Sequence, residues 1–464
     1  MACIRNRSRI LGSWLLLVSG VAWLFPVNRV QAAFAIRFSP TIGELYTDNI
    51  FYTTKNKEGD FVTTITPTVS ILYAPEGQLV PTLNLNISPS AVLFAHNSDL
   101  NNFGDNWGLT GSYNYQYSPD LSFFVSEVVG RQGNYRLGPL TQGAFGLPSA
   151  PTSPPPVGGT LPGQQNQNLS NFTKGGPGSS QFWNNFSLRG TYLARPDLSF
   201  TGGYTNNYVN YLDQSGHDLW QTVGLRGAYN WGQGINVHAG VHVDIFNNNF
   251  NNGNNNNNNN VVVSFDLGSD YFSNFQINLS PTLTLAASTG ISLNIGRNGQ
   301  PVNNNTNITL IKIWERASAS AGVQHGITSS YGVGGISNTT TVNGRFNYQV
   351  TEKLSTTAGV DFSFYDTDDG NFQTFQAGAA AQYQFTSWLH SNLTYIYRWT
   401  DSSNRVAQSS NGILQTGIVR ANAVYLTLTA SFDLWPNFGL TRSLAPVAPL
   451  VTSPFPQSTS PTYP

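Results

Sequence analysis

The feature that most constrains this chain is an alternation of apolar and polar residues with a period of two, sustained in runs too long for ordinary strands. Leu83, Leu85, Ile87, Ala91 and Leu93 alternate with Thr82, Asn84, Asn86, Ser88 and Ser90. Trp107, Leu109, Gly111, Tyr113, Tyr115 and Tyr117 alternate with Asn106, Gly108, Thr110, Ser112, Asn114 and Gln116. Ile235, Val237, Ala239, Val241, Val243 and Ile245 do the same against Asn236, His238, Gly240, His242 and Asp244. Leu283, Leu285, Ala287, Ile291 and Leu293 repeat the pattern. Successive side chains of a strand point to opposite faces, so each run describes a strand with one greasy and one polar side. The runs last about 10–14 residues, enough to cross a bilayer at a tilt and roughly twice the length of a soluble strand.

The connections are sorted, short then long. Short turns fall at Ala74-Pro75-Glu76-Gly77, Ser118-Pro119-Asp120, Arg195-Pro196-Asp197, Gly232-Gln233-Gly234, Ser280-Pro281-Thr282, Thr351-Glu352-Lys353 and Thr386-Ser387-Trp388. Pro and Gly supply the backbone angles that tight reversals need. Between them lie polar stretches at 96–105, 131–180, 206–218, 247–260, 296–306 and 400–416, read as long loops. Two intervals between short turns are longer than the rest. One holds the Pro/Gly/Gln-rich insertion around 147–180; the other should hide a further turn at Trp314-Glu315-Arg316, between the runs Asn307 to Ile313 and Ala317 to Ile327. The reading is therefore an all-β fold: a single transmembrane, antiparallel, up-and-down barrel of about eighteen strands, with short periplasmic turns and long extracellular loops. Sixteen strands is the alternative if the first strand or the 307–313 run is irregular.

Composition agrees. Charged residues are only 10% of the chain while aromatics reach 13%, against a quarter charged in ordinary soluble domains. Arg5, Arg7 and Arg9, an apolar stretch from Ile10 to Phe25 and the small-residue site Val30-Gln31-Ala32 read as a secretory signal peptide at 1–32. The barrel is expected over 33–434, and a Pro/Ser/Thr-rich periplasmic tail over 435–464. Cleavage would remove the single cysteine, Cys3, and the single methionine, Met1, leaving no thiol for a disulfide or a nucleophile. A net charge of −1 gives no field that would recruit nucleic acid. No later segment approaches the ~18 uninterrupted apolar residues of a membrane helix.

Several side chains stand out against this frame. Leu188-Arg189-Gly190-Thr191-Tyr192, Leu225-Arg226-Gly227-Ala228-Tyr229 and Gly344-Arg345-Phe346-Asn347-Tyr348 are nearly superposable, and each precedes a short turn. Arg189, Arg226 and Arg345 occupy the polar phase and should point into the lumen at similar depth. They would form a basic belt favouring anions, or would pair with acids and line the wall without setting selectivity. Asp244 and Asp361 are also placed in the lumen, nearer the outer side. Tyr113, Tyr117, Tyr192, Tyr229, Trp231, Tyr348, Tyr383 and Trp388 gather where strands meet turns, as a periplasmic aromatic girdle would.

His238, His242 and Asp244 share a face, but the two histidines are about 13 Å apart at ~3.3 Å per residue, too far for one ion. They read as satisfied polar residues, and no metal or cofactor is expected. No Gly-x-Ser-x-Gly turn or aligned Ser/His pair suggests an enzyme, and Gly332-Val333-Gly334-Gly335 fails the dinucleotide fingerprint.

Three phrases near the mature start, Phe38-Ser39-Pro40, Tyr46-Thr47-Asp48-Asn49-Ile50-Phe51 and Asp60-Phe61-Val62-Thr63-Thr64-Ile65-Thr66-Pro67, join the turn from Tyr117 to Ser122. Together they resemble the β-barrel porin family of the bacterial outer membrane whose members are found beside exopolysaccharide or exosortase systems. The resemblance spans about 35–432 through strand rhythm and short phrases. The barrel reading implies a monomeric or trimeric conduit for small hydrophilic solutes, with outer-membrane lipid, lipopolysaccharide and the barrel-insertion machinery as partners; the resemblance adds a growing exopolysaccharide as the alternative cargo. The alternative is a non-conducting surface or assembly protein that binds polysaccharide or a partner through its long loops. The asparagine tract and the thirty-odd residues after Phe432 depart from the family pattern, in which the last strand ends the chain.

Overall fold

The computed structural model describes residues 33–51, 53–74, 82–132, 180–212, 216–232, 235–250, 258–269, 277–295, 302–329, 336–367, 370–402 and 417–435. Its strands are β1 (Ala33–Thr47), β2 (Asp60–Ala74), β3 (Leu83–Phe94), β4 (Asn102–Ser118), β5 (Leu121–Gln132), β6 (Gln181–Arg195) and β7 (Leu198–Tyr211). They continue as β8 (Gly216–Gly232), β9 (Ile235–Phe250), β10 (Asn258–Ser269), β11 (Ile277–Ser280), β12 (Leu283–Asn294), β13 (Val302–Ile313) and β14 (Ala317–Ser329). The last are β15 (Ile336–Gln349), β16 (Leu354–Thr367), β17 (Gly370–Gln384), β18 (Leu389–Asp401), β19 (Ile418–Ala430) and β20 (Phe432–Trp435).

Apart from the short β11 and β20, each strand pairs antiparallel with the strands on either side of it in the ring, and β1 closes the ring against β19 with Thr41 opposite Thr429 and Tyr46 opposite Val424. The short β11 pairs with the same strand, β12, as β10 does. In the same way β20 prolongs β19 along β1, where Arg37 Nε lies 3.0 Å from Asp433 Oδ1. The sheet is thus a closed antiparallel barrel of 18 strands. An up-and-down course follows from the turn chemistry: Pro119-Asp120, Pro196-Asp197 and Pro281-Thr282 each join adjacent antiparallel strands. The turn expected at Trp314-Glu315-Arg316 joins β13 to β14, with Trp314 N donating to Ala317 O at 2.8 Å. The first strand is regular against β2, and the 302–313 strand is regular against β12 and β14; the one register shift in β1 is against the short β20, between Ile36 and Arg37.

The loop end corrects several expectations. The stretch 206–218 is mostly strand: β7 and β8 pair up to Tyr211 opposite Gly216. The asparagine tract also extends the ladder, with Asn247 opposite Asn259 and Asn248 opposite Asn258. β4 begins at Asn102, β13 at Val302, and β18 runs on to Asp401. The cause is physical. Above the apolar band the outward face no longer has to be greasy and inward positions such as Val209 and Trp220 are apolar, so the period-two signal is lost although backbone pairing continues. The final strand likewise reaches Trp435, one residue beyond the expected barrel boundary. The signal segment 1–32, most of the insertion (133–179) and the tail beyond 435 lie outside the described residues.

Candidate functional site

Burial is inverted relative to a soluble fold. On β15, Val342 is 46% exposed while the adjacent Thr341 is 1% exposed. The same contrast runs around the ring. Ile42, Ile65, Leu225, Phe265, Ile291, Val360 and Leu426 stand exposed on the outward face. Inward, hydroxyls pair across neighbouring strands: Ser264 with Ser292 at 2.7 Å, Thr341 with Ser363 at 2.9 Å, and Thr66 with Ser90 at 2.8 Å. A continuous apolar outer surface is stable only in hydrocarbon, and hydrocarbon tolerates strands only where ring closure pairs every backbone N–H and C=O. The protein is a membrane-spanning β-barrel.

The aromatic residues singled out in the sequence lie on the outward phase near the turns. Tyr117, Tyr192, Trp231, Tyr348, Tyr383 and Trp388 are exposed; Tyr113 and Tyr229 are half-buried. Several of them stand in neighbouring pairs. Tyr113 stacks with Tyr115 at 6.1 Å, Tyr229 meets Trp231 edge-on at 6.1 Å, and Trp388 stacks on Phe432 at 5.8 Å.

The arginines are carried by separate sectors of the inner wall. Arg189 on β6 is buried, with its guanidinium 5.3 Å from the centre of the Phe124 ring. Arg226 on β8 is buried, with Nη2 3.3 Å from Asp266 Oδ2. Arg345 on β15 is half-buried, opposite Ser320 and Gly359, with Asp361 two residues further along β16. Arg189 and Arg226 therefore stand two strands apart while Arg345 is on another part of the ring.

Sequence reasoning passed over Asp266, the hub of the most charged part of the wall. Its Oδ2 lies 2.7 Å from His238 Nε2, and its Oδ1 lies 4.0 Å from His242 Nδ1. His242 Nε2 is in turn 3.3 Å from Asp244 Oδ2. Asp244 Oδ1 accepts hydrogen bonds from Trp220 Nε1 at 3.1 Å and Thr222 Oγ1 at 2.5 Å. Among the described residues no group of three or more His, Cys, Asp or Glu has the arrangement to hold a metal ion. The alternation of Val263, Phe265 and Leu267 with Ser264 and Asp266 was the signal that could have placed Asp266 inward. Arg398 was missed for the same reason: it shares the inward phase of Thr394 and Ile396, and its Nε donates to Gln376 Oε1 at 3.1 Å.

The inner wall is not uniformly polar. Near the loop end Leu45, Val62, Val92, Phe94, Ile396 and Ala423 form a buried apolar cluster covered by Ile50. A second cluster joins Val209, Trp220, Phe246 and Val262, with Trp183 packed against it and Trp220 stacked on Phe246 at 5.3 Å. Segments that fold back over the wall need apolar seats; for the first cluster the segment is the one around Ile50.

No family model matches the sequence, and no curated protein matches it. Among solved structures the chain is similar to Pseudomonas aeruginosa OpdQ, with 10% identity and a TM-score of 0.43 over 87% of this chain and 99% of that one. It is also similar to the outer membrane protein OpdK of Pseudomonas aeruginosa, with 11% identity and a TM-score of 0.41 over 86% and 99%. A loop-deleted OmpT, an outer membrane protein of Vibrio cholerae, gives 12% identity and a TM-score of 0.36 over 86% and 100%. At these scores the barrel assignment rests on this chain's own strand register and inverted burial.

Proposed function

We propose that the protein is a porin-like conduit for small hydrophilic solutes, its lumen wall setting what passes and no chemistry being done. The observation that carries this reading is the inward placement of Arg189, Arg226, Arg398, His238, His242, Asp244, Asp266 and Asp361 on a ring of eighteen strands. Rings of sixteen to eighteen strands are wide enough for water, and ionisable groups on the inner face of a membrane barrel are expensive unless water or a partner charge meets them. In this reading Arg189, Arg226 and Arg345 bias the lumen towards anions. The aromatic residues near the turns, Tyr113 to Trp388, anchor the barrel at the periplasmic boundary. Passage of an exopolysaccharide is the finer form of the proposal and has only the sequence resemblance behind it. Solute flux tests the reading. Purified full-length protein in liposomes should give swelling with small neutral sugars, at rates well above protein-free vesicles; equal rates would reject it.

A non-conducting barrel that binds a partner through its loops is the second reading. It is favoured by the depth of burial along the inner wall, where His238, Ser292 and Ser363 are at most 2% exposed. The same swelling assay separates the two.

A further inference from the structure

The second apolar cluster has a member that does not belong to its part of the ring. Val209, Trp220, Phe246 and Val262 lie on β7, β8, β9 and β10, and Trp183 beside them on β6. Ile327, which also packs against the cluster, lies on β14. Around the ring β12 and β13 stand between β10 and β14. Strands are ~4.8 Å apart, so β10 and β14 are separated by roughly 14 Å of wall, beyond the reach of an isoleucine meeting a valine within the sheet. The contact requires the upper end of β14 to leave the cylinder and lean over the lumen.

A second, polar contact says the same of β15. Asn338, paired with Ile327, donates from Nδ2 to Asn303 Oδ1 at 3.5 Å, although β14 lies between β15 and β13. Asn303 shares its phase with Asn305, which bonds Ser292 on the inner wall. Asn338 therefore approaches β13 from the inner side, as it would if β14 and β15 bend inward together. Val323 and Val342 share the phase of Ile327 and Asn338 and are still exposed on the outward face, while pairing of β14 with β13 ends at His325; above that point the two strands must therefore turn as well as lean inward.

We propose that Ile327, carried inward by the upper ends of β14 and β15 and seated against the cluster of Val209, Trp220, Phe246 and Val262, is the size-limiting element of the lumen. This rests on the conduit reading. An aliphatic side chain resting on aromatic and aliphatic ones makes a dry constriction. Hydrated solutes must displace or squeeze past it, so passage falls steeply with solute size. The charged hub of Asp266 and the hydroxyl ladder lie deeper along the same wall and act on what has already passed.

Two measurements on the full-length protein test this. In a Cys3→Ser background, Ile327→Cys is combined in turn with Val209→Cys, Phe246→Cys and Val262→Cys, and treated with a short bifunctional thiol reagent. At least one pair should cross-link within a single chain, visible as altered migration of the denatured protein. Absence of a cross-link in all three, with heat-modifiable migration showing folded barrels, overturns the contact whether or not the protein conducts. Liposome swelling with sugars of graded size gives the second readout. Ile327→Ala should admit larger sugars and raise the rate for a mid-sized one by about twofold or more, while outward Val323→Ala leaves both unchanged. An unaltered size limit in a conducting Ile327→Ala barrel overturns the proposal alone; no flux through either barrel overturns it together with the conduit reading.

Discussion

Arg226 and Asp266 form an ion pair across a strand that lies between them. Arg226 is on β8 and Asp266 on β10; both stand opposite Gly240 of β9, and Nη2 lies 3.3 Å from Oδ2. The pairing works because Gly240 carries no side chain. A Cβ placed there would sit 2.6 Å from Asp266 Oδ1. Both side chains are at most 8% exposed, so Arg226 offsets the charge of Asp266 on the wall and its loss leaves that sector more acidic.

Gly240→Ala therefore forces the carboxylate away from Arg226 and His238. The expected loss is about 1–3 kcal/mol of stability, the usual range for a clash beside a buried polar network. Urea unfolding in lipid vesicles, followed by tryptophan fluorescence, measures it; an unchanged midpoint would show that the network yields without strain.

Asp266→Asn removes the hub and leaves Arg226 without this buried counter-charge. Breaking such a pair from one side costs about 3–5 kcal/mol. The double variant Arg226→Met/Asp266→Leu should recover much of that, since no charge is then stranded. If the double variant is no more stable than Asp266→Asn, the pair is not what makes that single change costly.

The inverted burial makes a directional prediction. Arg placed at Val342, on the outward face, should cost about 2–4 kcal/mol if that face lies in hydrocarbon. Arg at Asn347, inward and exposed on the same strand, should cost no more than about 1 kcal/mol. Equal costs would remove the membrane from the account of β15.

The aromatic boundary is tested by depth. Trp231, 72% exposed on the bare barrel, should lie at headgroup level. Lipids brominated near the headgroup should quench a component of the tryptophan emission that disappears in Trp231→Phe. Stronger quenching of that component by bromine near the chain ends would place β8 at the wrong height.

The ring itself was legible in the sequence because hydrocarbon on one side and water on the other imprint alternation on every strand. Even the turn at Trp314 could be placed by rhythm. Legibility failed where that contrast breaks down, in the Asn-rich rise of β9 and β10 and in β7 beyond Asn206, where Asn206 and Asn210 take the outward phase and Val209 the inward one. The lumen was read only in part. Phase alone put Arg226 and His238 inward, but their meeting at Asp266 depends on the register of three strands and on a glycine in the middle one. Ile327 was beyond reach altogether, since its contact depends on β14 leaving the wall, which no local pattern encodes.

Single-channel recording of the purified full-length protein in planar bilayers tests the central claim most directly. The account predicts discrete conductance steps, and a reversal potential under a salt gradient that moves towards cation preference in Arg189→Gln/Arg226→Gln/Arg345→Gln. Folded barrels that give no current beyond the leak of the bare bilayer would contradict it.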